Sequence, residues 1–519
     1  MFYMVIFGVL FIVTYIYLYK SRGYDYWSKQ GIPGPTPVPV FGNYFTAFLT
    51  PNPLRERNFC QKYGNIFGHF LGTIPVLNIA DPELIKAIWV KDFHLFTNRT
   101  KVWTPNSPLT ARNLNHLCGD DWKRVRSIVS PVFTSGKMRQ MYPQIRDCLS
   151  DFTATLDSLA GGHLDAQDWC SRLGDNLFFK LARQKFSFNV WNELAVLILP
   201  KFLQKWFRTR DRESDEYFLD TVRHIVAERR LKPGAKYNDF IQLLMDSEIR
   251  DSDGDDGGAG NDTDINVEHI NKGTKELDID RKVFNINIKD KKLTEDEIIA
   301  QGYLFLLGGY LATATILAFS AYELALNPDI QQRLYDEING AIDSTAGDIP
   351  YDVLTRLPYL DAVVSEILRR YSMVRPLARI ASADYKLGDT GITIKAAVLS
   401  GSMPLARIAS TDYKLGDTGI TIKAGQQVEL LNFALHHSER YYPDPFKFDP
   451  DRFMPENRHR VNPYAYMPFG AGPRNCIGMR FGLLVVKLGL ARMVGAYRFY
   501  RCPETDVPVN YQRFIHMNT

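Results

Sequence analysis

The chain has 519 residues, 45% of them hydrophobic and 23% charged, with a formal net charge of +4. That is ample apolar material for a large globular core, and the charge is too small to argue for a nucleic-acid partner. Cys60, Cys118, Cys148, Cys170, Cys476 and Cys502 lack paired spacing, which speaks against a zinc site and a disulfide framework and for a reducing compartment.

Residues 1–19 carry no charged side chain and, as a helix, match the thickness of a bilayer core. Lys20 and Arg22 follow rather than precede them, and no small-residue cleavage site closes the stretch. The pattern therefore predicts a transmembrane anchor over 1–20 with the body of the chain on the cytosolic side, not a cleaved signal peptide. Residues 21–43, with GIPGPTPVPVFGN, read as a stiff proline-rich linker, and 44–519 as one domain.

Within that domain LRERNFCQKYG (54–64) reads as a helix, IFGHFLGTIPVLNIA as a hairpin broken at Gly72, and DPELIKAIWV as a return to helix. Residues 104–117 have no clear period. GDDWKRVR opens another helix with Asp120 or Asp121 as its expected N-cap. Trp122 and Arg126, four apart, share a face of it, either as a surface cation resting on a ring or as part of a site. Residues 140–250 read as several amphipathic helices, irregular between 167 and 190, and LPKFLQKWF (199–207) offers apolar side chains to core, substrate or membrane. The acidic, glycine-rich run beginning DSDGDDGGAGND makes 251–292 a surface linker.

Thr294 and Glu297 form a capping-box pattern ahead of an apolar run that ends at Leu326, before Asn327 and Pro328. A helix of that length crosses a whole domain. Gly308 and Gly309 interrupt it, each costing about 1 kcal/mol relative to alanine, which implies that backbone must come close to something. Glu366 and Arg369, one turn apart in SEILRRY, make an i,i+3 ion pair. Residues 376–396 return as 404–424, offset by 28 residues, with Ala383 becoming Thr411 as the single change. Two copies do not make a solenoid, and near-identity points to a recent duplication or a transcript error.

The last motif is MPFGAGPRNCIGMRFG, Met467 to Gly482, ahead of the apolar helical run LLVVKLGLARMVGAY. A cysteine at a helix N-terminus is pulled toward thiolate, the form a soft metal requires. Gly470, Gly472 and Gly478 let a flat, bulky partner approach the sulfur, and Arg474 supplies a positive charge for an acidic group on it.

Phe469, Gly472, Arg474, Cys476 and Gly478 match Phe-x-x-Gly-x-Arg-x-Cys-x-Gly, and on these residues the chain resembles the cytochrome P450 family. VLNIADPELIKAIWVKDFHLFTNR and SPVFTSGKMRQMYP look like the animal branch that holds the drug- and steroid-oxidising subfamily and thromboxane synthase. The resemblance implies a mainly α fold with a small β region and Cys476 as the axial thiolate ligand of haem b. It implies that Trp122 and Arg126 hold a haem propionate, that Arg379 or Arg407 of the repeat meets one, that the loop near 104–117 lines the substrate pocket, and that Glu366, Arg369 and Arg452 form a buried structural trio. It places Gly308 and Gly309 at the oxygen-binding face.

Here the chain departs from the family. The usual Ala/Gly-Gly-x-Glu/Asp-Thr-Thr reads Gly308-Gly309-Tyr310-Leu311-Ala312-Thr313, so both proton-relay groups are replaced and Thr313, one position late, is left to serve. Three readings follow: a monooxygenase of xenobiotics, steroids or fatty acids using dioxygen and NADPH, an isomerase of lipid peroxides, or an inactive haem protein. By resemblance the partners are NADPH-cytochrome P450 reductase and cytochrome b5, with Arg474, Arg480 and Lys487 on the reductase-facing side. The location is the endoplasmic reticulum membrane, where Asn98 and Asn261 would escape glycosylation.

Overall fold

The computed structural model describes residues 23–99 (except 40 and 45), 107–157, 181, 209–249 (except 233–236 and 238), 292–372 (except 343–347), 377–380, 385–387, 420–422 and 426–509 (except 504). The expected anchor at 1–20, the irregular 167–190 apart from Leu181, the apolar 199–207, the linker 251–291, Arg407 and Asn261 lie outside them.

Helix α1 (Asn52–Tyr63) leads into strands β1 (Ile66–Leu71) and β2 (Ile74–Ile79), an antiparallel hairpin in which Leu71 faces Ile74. Asp81 then caps a short helix, Pro82–Lys86, by accepting the Glu83 and Leu84 N–H groups at 3.0 and 3.1 Å.

Helix α2 (Gly119–Val129) begins earlier than expected, with Cys118 at the cap position and no side-chain cap of its own. Asp120 and Asp121 fall in its first turn, and Asn98, from a distant loop, accepts the Gly119 N–H at 2.9 Å. The capping acceptor comes from outside the helix, so local sequence could not show it. Helices α3 (Ser135–Asp157), α4 (Thr209–Leu231) and α5 (Phe240–Ile249) follow.

The central helix α6 (Glu295–Leu326) is 32 residues long, about 48 Å. Its capping box forms as expected: the Thr294 hydroxyl accepts the Glu297 N–H at 3.3 Å and the Glu297 carboxylate accepts the Thr294 N–H at 2.9 Å. Among the described residues it is the one helix long and apolar enough to cross a bilayer. Here it packs within the domain, with Ile298, Phe319 and Leu324 fully buried. Helices α7 (Pro328–Ala341) and α8 (Pro358–Arg370) complete this part.

Strands β3 (Leu377–Ile380), β4 (Tyr385–Leu387), β5 (Ile420–Ile422) and β6 (Gln427–Leu430), the short helix α9 (Asn432–His436) and helix α10 (Met479–Ala496) follow. The main sheet runs β1-β2-β6-β3, with β6 parallel to β2 and antiparallel to β3. One large core gathers the helices, and a second lies under the sheet around Phe67, Ile79, Trp89 and Leu430. The result is mainly helical with a small sheet, as expected.

The repeat is used in a way the sequence did not foretell. The resemblance implied that one copy, carrying Arg379 or Arg407, would serve. Instead β3 and β4 come from the first copy and β5 from the second, with Tyr385 facing Ile422 and Leu387 facing Ile420. The two copies read identically across YKLGDTGITI, so a hybrid hairpin has the same side chains as an intact one. Arg379 lies on β3 opposite Val428.

Candidate functional site

The cysteine loop is held from behind by a buried ion pair. Glu366 and Arg369, both 0% exposed, sit one turn apart on α8, and the guanidinium grips the carboxylate at two points, 2.7 and 2.8 Å. Arg369 also donates to the His436 and Pro445 carbonyls at 2.6 and 2.8 Å. The second Glu366 oxygen accepts the Asp449 N–H at 3.0 Å. Arg452 stands further off, its Nε 3.7 Å from Glu366 Oε1, an ion pair rather than a hydrogen bond. The network reaches the loop through His436, whose Nε2 accepts the Met467 N–H at 3.0 Å, and through Asn432, which donates to the Met467 carbonyl at 2.9 Å. Met467 is thus fixed on both sides just ahead of Phe469.

From there the backbone turns tightly. Gly470 and Gly472 both adopt left-handed φ, 77° and 70°. A Cβ on Gly472 would stand 1.9 Å from the Trp89 carbonyl oxygen, so this glycine is required by packing against its own chain. Gly478 has a free approach instead, with Phe133 the first side chain at 3.8 Å. The Cys476 N–H donates to the Phe469 carbonyl at 2.9 Å, closing the loop. The Cys476 side chain is accessible, yet protein encloses it so far that burial raises its thiol above the usual cysteine range. Arg126, the Gly478 N–H and Arg99 pull the other way and do not prevail. This corrects the expectation of a thiolate favoured by the helix: α10 begins only at Met479, and a thiolate here needs a cation bound to sulfur.

Three arginines gather beside it. Arg474, 2% exposed, donates to the carbonyls of Thr97 (2.7 Å), Leu117 and Leu114 (3.5 Å), and its guanidinium carbon lies 4.7 Å from the Trp122 ring centre. Arg99 donates to Asn115 at 2.9 Å and to the Arg474 carbonyl at 3.1 Å. Arg126 donates to Asn475 Oδ1 at 2.9 Å. Burial, with repulsion from Arg99 and Arg126, lowers Arg474 to about 9. Among the described residues no carboxylate is salt-bridged to Arg99 or Arg474, and the Nε of each is buried without a partner. Crowded cations beside neutral acceptors form a place for an anion.

Helix α6 presents two different stripes. Gly309 and Leu317 face α10: a Cβ on Gly309 would lie 4.0 Å from Phe481, and Leu317 would lie 3.2 Å from one on Gly489. Thr313, midway between them at i+4 spacing, belongs to that packed stripe. Gly308 and Ala312 form an accessible stripe, and nothing lies within 4 Å of a Cβ built on Gly308. Gln301 ties the helix to the loop after residue 107, accepting from Leu114 N–H at 2.9 Å and donating to the Arg112 carbonyl at 3.0 Å.

The expected residues thus divide. Cys476, Arg126, Arg474, Trp122 and Phe469 converge, as do Glu366 and Arg369 behind them. Arg474 and Lys487 are buried, the latter paired with Asp361 at 2.8 Å, so neither faces a redox partner. Arg99, His436 and Asn475 were missed; each acts through contacts with residues remote in sequence, and no local pattern marks them.

An enclosed sulfur, two buried arginines, Arg99 and Arg474, that no carboxylate among the described residues pairs, and an accessible helix stripe of small residues suit a flat apolar group with an acidic edge and a thiophilic metal. Haem has all three properties, and the class is a haem-thiolate protein. The particular family follows from comparison: the Cytochrome P450 family model matches residues 32–402 and 398–518, two segments that meet inside the duplicated stretch. The chain belongs to the cytochrome P450 family, monooxygenases that use haem b with a cysteine thiolate ligand. Among its relatives are "Cytochrome P450 3A11" of Mus musculus and "Cytochrome P450 6k1" of Blattella germanica, each 30% identical over 96% of this chain and 91% of the relative. "Cytochrome P450 3A9" of Rattus norvegicus is 29% identical with the same coverage.

Proposed function

We propose that this chain oxidises lipophilic small molecules of the xenobiotic or steroid type, inserting one oxygen atom of dioxygen and reducing the other to water with two electrons from NADPH and two protons drawn through solvent. The observation that carries this reading is the accessible Cys476 sulfur set among Arg99, Arg126 and Arg474. Cys476 is the axial ligand. Arg126 and Arg474, with Arg99, hold the acidic edge of the haem, and Arg379 or Arg407 of the repeat meets it as well; the position of Arg379 on β3 supports the former. Bound haem with a thiolate ligand supplies the oxygen-activating chemistry.

The chain's own residues do the rest. Glu366 and Arg369 fix Met467 and so the height of the cysteine loop. Gly308 and Ala312 keep the α6 stripe low enough for small reactants. Gln301 holds the 107–117 loop against α6, where its side chains border the cleft.

Electrons come through NADPH-cytochrome P450 reductase, with cytochrome b5 as a second donor. Residues 1–20 anchor the domain on the cytosolic face of the endoplasmic reticulum; a chain lacking them should leave the membrane fraction. Ala312 favours one rival, a peroxide isomerase, since no hydroxyl stands at that position. Reconstitution with reductase separates the two. The monooxygenase consumes NADPH and dioxygen and is inert toward lipid peroxides alone; turnover of a peroxide without NADPH would replace this reading with the isomerase.

A further inference from the structure

We propose that Thr315, and not Thr313, carries the hydroxyl that serves the cleft above Cys476. This rests on the haem-thiolate reading.

The helix geometry of α6 decides between the two threonines. At about 100° per residue, Ala312 lies about 40° from Gly308 and Thr315 about 20° to its other side, so all three share one stripe. Thr313 is about 140° away from Gly308, on the opposite flank. The packing agrees: Thr313 falls between Gly309 and Leu317, which face Phe481 and Gly489 of α10. Gly308 and Ala312 are exposed, Thr313 and Thr315 are both half-buried, and the five residues after Thr315 are all buried, so it is position around the helix and not exposure that separates the two threonines.

The stripe is bounded at both ends by aromatic rings. Phe305, before Gly308, packs on Phe133 and Phe240 at 5.3 and 4.2 Å. Phe319, one turn beyond Thr315 on the same stripe, is fully buried and stacks on Tyr371 at 3.9 Å with ring planes 9° apart. Thr315 is therefore the hydroxyl-bearing residue of the stripe between those two closures, about 4.5 Å along the axis from Ala312. Its Oγ donates a hydrogen bond toward the cleft, passes a proton on, and recovers one from water, so the residue is unchanged over a cycle. The loss of the threonine at 312 is then a displacement of the proton donor by one helical turn.

The test is the infrared C–O stretching band of the ferrous carbon monoxide adduct, which a donated hydrogen bond lowers. Thr315→Val should move the band to higher frequency, Thr315→Ser should hold it, and Thr313→Val should leave it in place. Product formed per dioxygen consumed should fall roughly tenfold or more in Thr315→Val alone. A band unmoved by Thr315→Val, or moved by Thr313→Val instead, overturns the assignment. The visible spectrum separates this from the haem reading. A red-shifted thiolate band in every variant leaves that reading standing whichever way the infrared band goes; its absence from the unmodified chain removes both. Should Thr315→Val not fold, Thr315→Ala and Thr315→Ser give the same contrast.

Discussion

The guanidinium of Arg474 rests over the indole of Trp122, 4.7 Å from the ring centre, and so fastens the cysteine loop to helix α2. Trp122 is almost fully buried and lies one turn before Arg126 on the same helix. Truncating a buried tryptophan costs about 3–5 kcal/mol, and here it also removes the ring under a desolvated cation. Trp122→Ala should lower the denaturation midpoint and the haem-to-protein ratio together, while Trp122→Phe, which keeps a ring, should retain most of both.

Glu366 and Arg369 predict a graded series. Glu366→Ala leaves a fully buried guanidinium without its carboxylate, a loss of about 3–5 kcal/mol, and releases the hold on Met467 through His436. Haem incorporation should be abolished. Arg452, at 3.7 Å and partly exposed, should matter much less. Equal loss of haem in Arg452→Ala and Glu366→Ala, measured as holoprotein yield, would contradict this ordering.

The buried titratable groups predict an asymmetric pH profile. Burial lowers His69 and His436 to about 3 and His437 well below its usual value. Their unfolded forms bind protons below about 6.5, so the stability they contribute is complete above that pH and lost as it falls toward 3, by about 1.4 kcal/mol per histidine per pH unit. Glu56 and Glu429 run the other way: burial raises them to about 8 and about 7, so stability is lost as pH rises from the ordinary carboxylate range through those values. The denaturant midpoint should peak near pH 6.5, decline gently to about 5 and drop steeply below the carboxylate range, where the histidines act unopposed. A midpoint that is flat from pH 6.5 to 4 would show that these histidines are not buried as described.

The hybrid hairpin makes the duplication dispensable. Deleting residues 388–415 joins Leu387 to Gly416 and restores YKLGDTGITI between β4 and β5. Shortening a connection about eightfold relieves roughly 2 kcal/mol of closure entropy. The deleted chain should melt higher and bind haem as well as the full one. A lower melting temperature would mean that the removed residues contribute contacts of their own.

Local chemistry made much of this fold legible. The Thr294–Glu297 capping box and the Asn327–Pro328 stop bounded α6 to the residue, and the β-branched run around Gly72 marked the hairpin. The cysteine loop declared itself because glycine, arginine and cysteine at fixed spacing have few other uses. What stayed hidden depended on distance in sequence: Asn98 capping α2, Arg99 joining the arginine cluster, His436 linking Arg369 to Met467, and β4 of one repeat copy pairing with β5 of the other. Thr313 looked suitable by position in the motif, but helix periodicity puts it on the other flank, and the packing of Gly309 and Leu317 on α10 agrees.

The central claim is that Cys476 ligates haem as a thiolate within this chain as written. The direct measurement is the ferrous carbon monoxide difference spectrum of the full chain beside Cys476→Ser. A strongly red-shifted Soret band in the former, absent from the latter, is the predicted result. A band at the position of a nitrogen- or thiol-ligated haem in the full chain, or a thiolate band that survives Cys476→Ser, would contradict it.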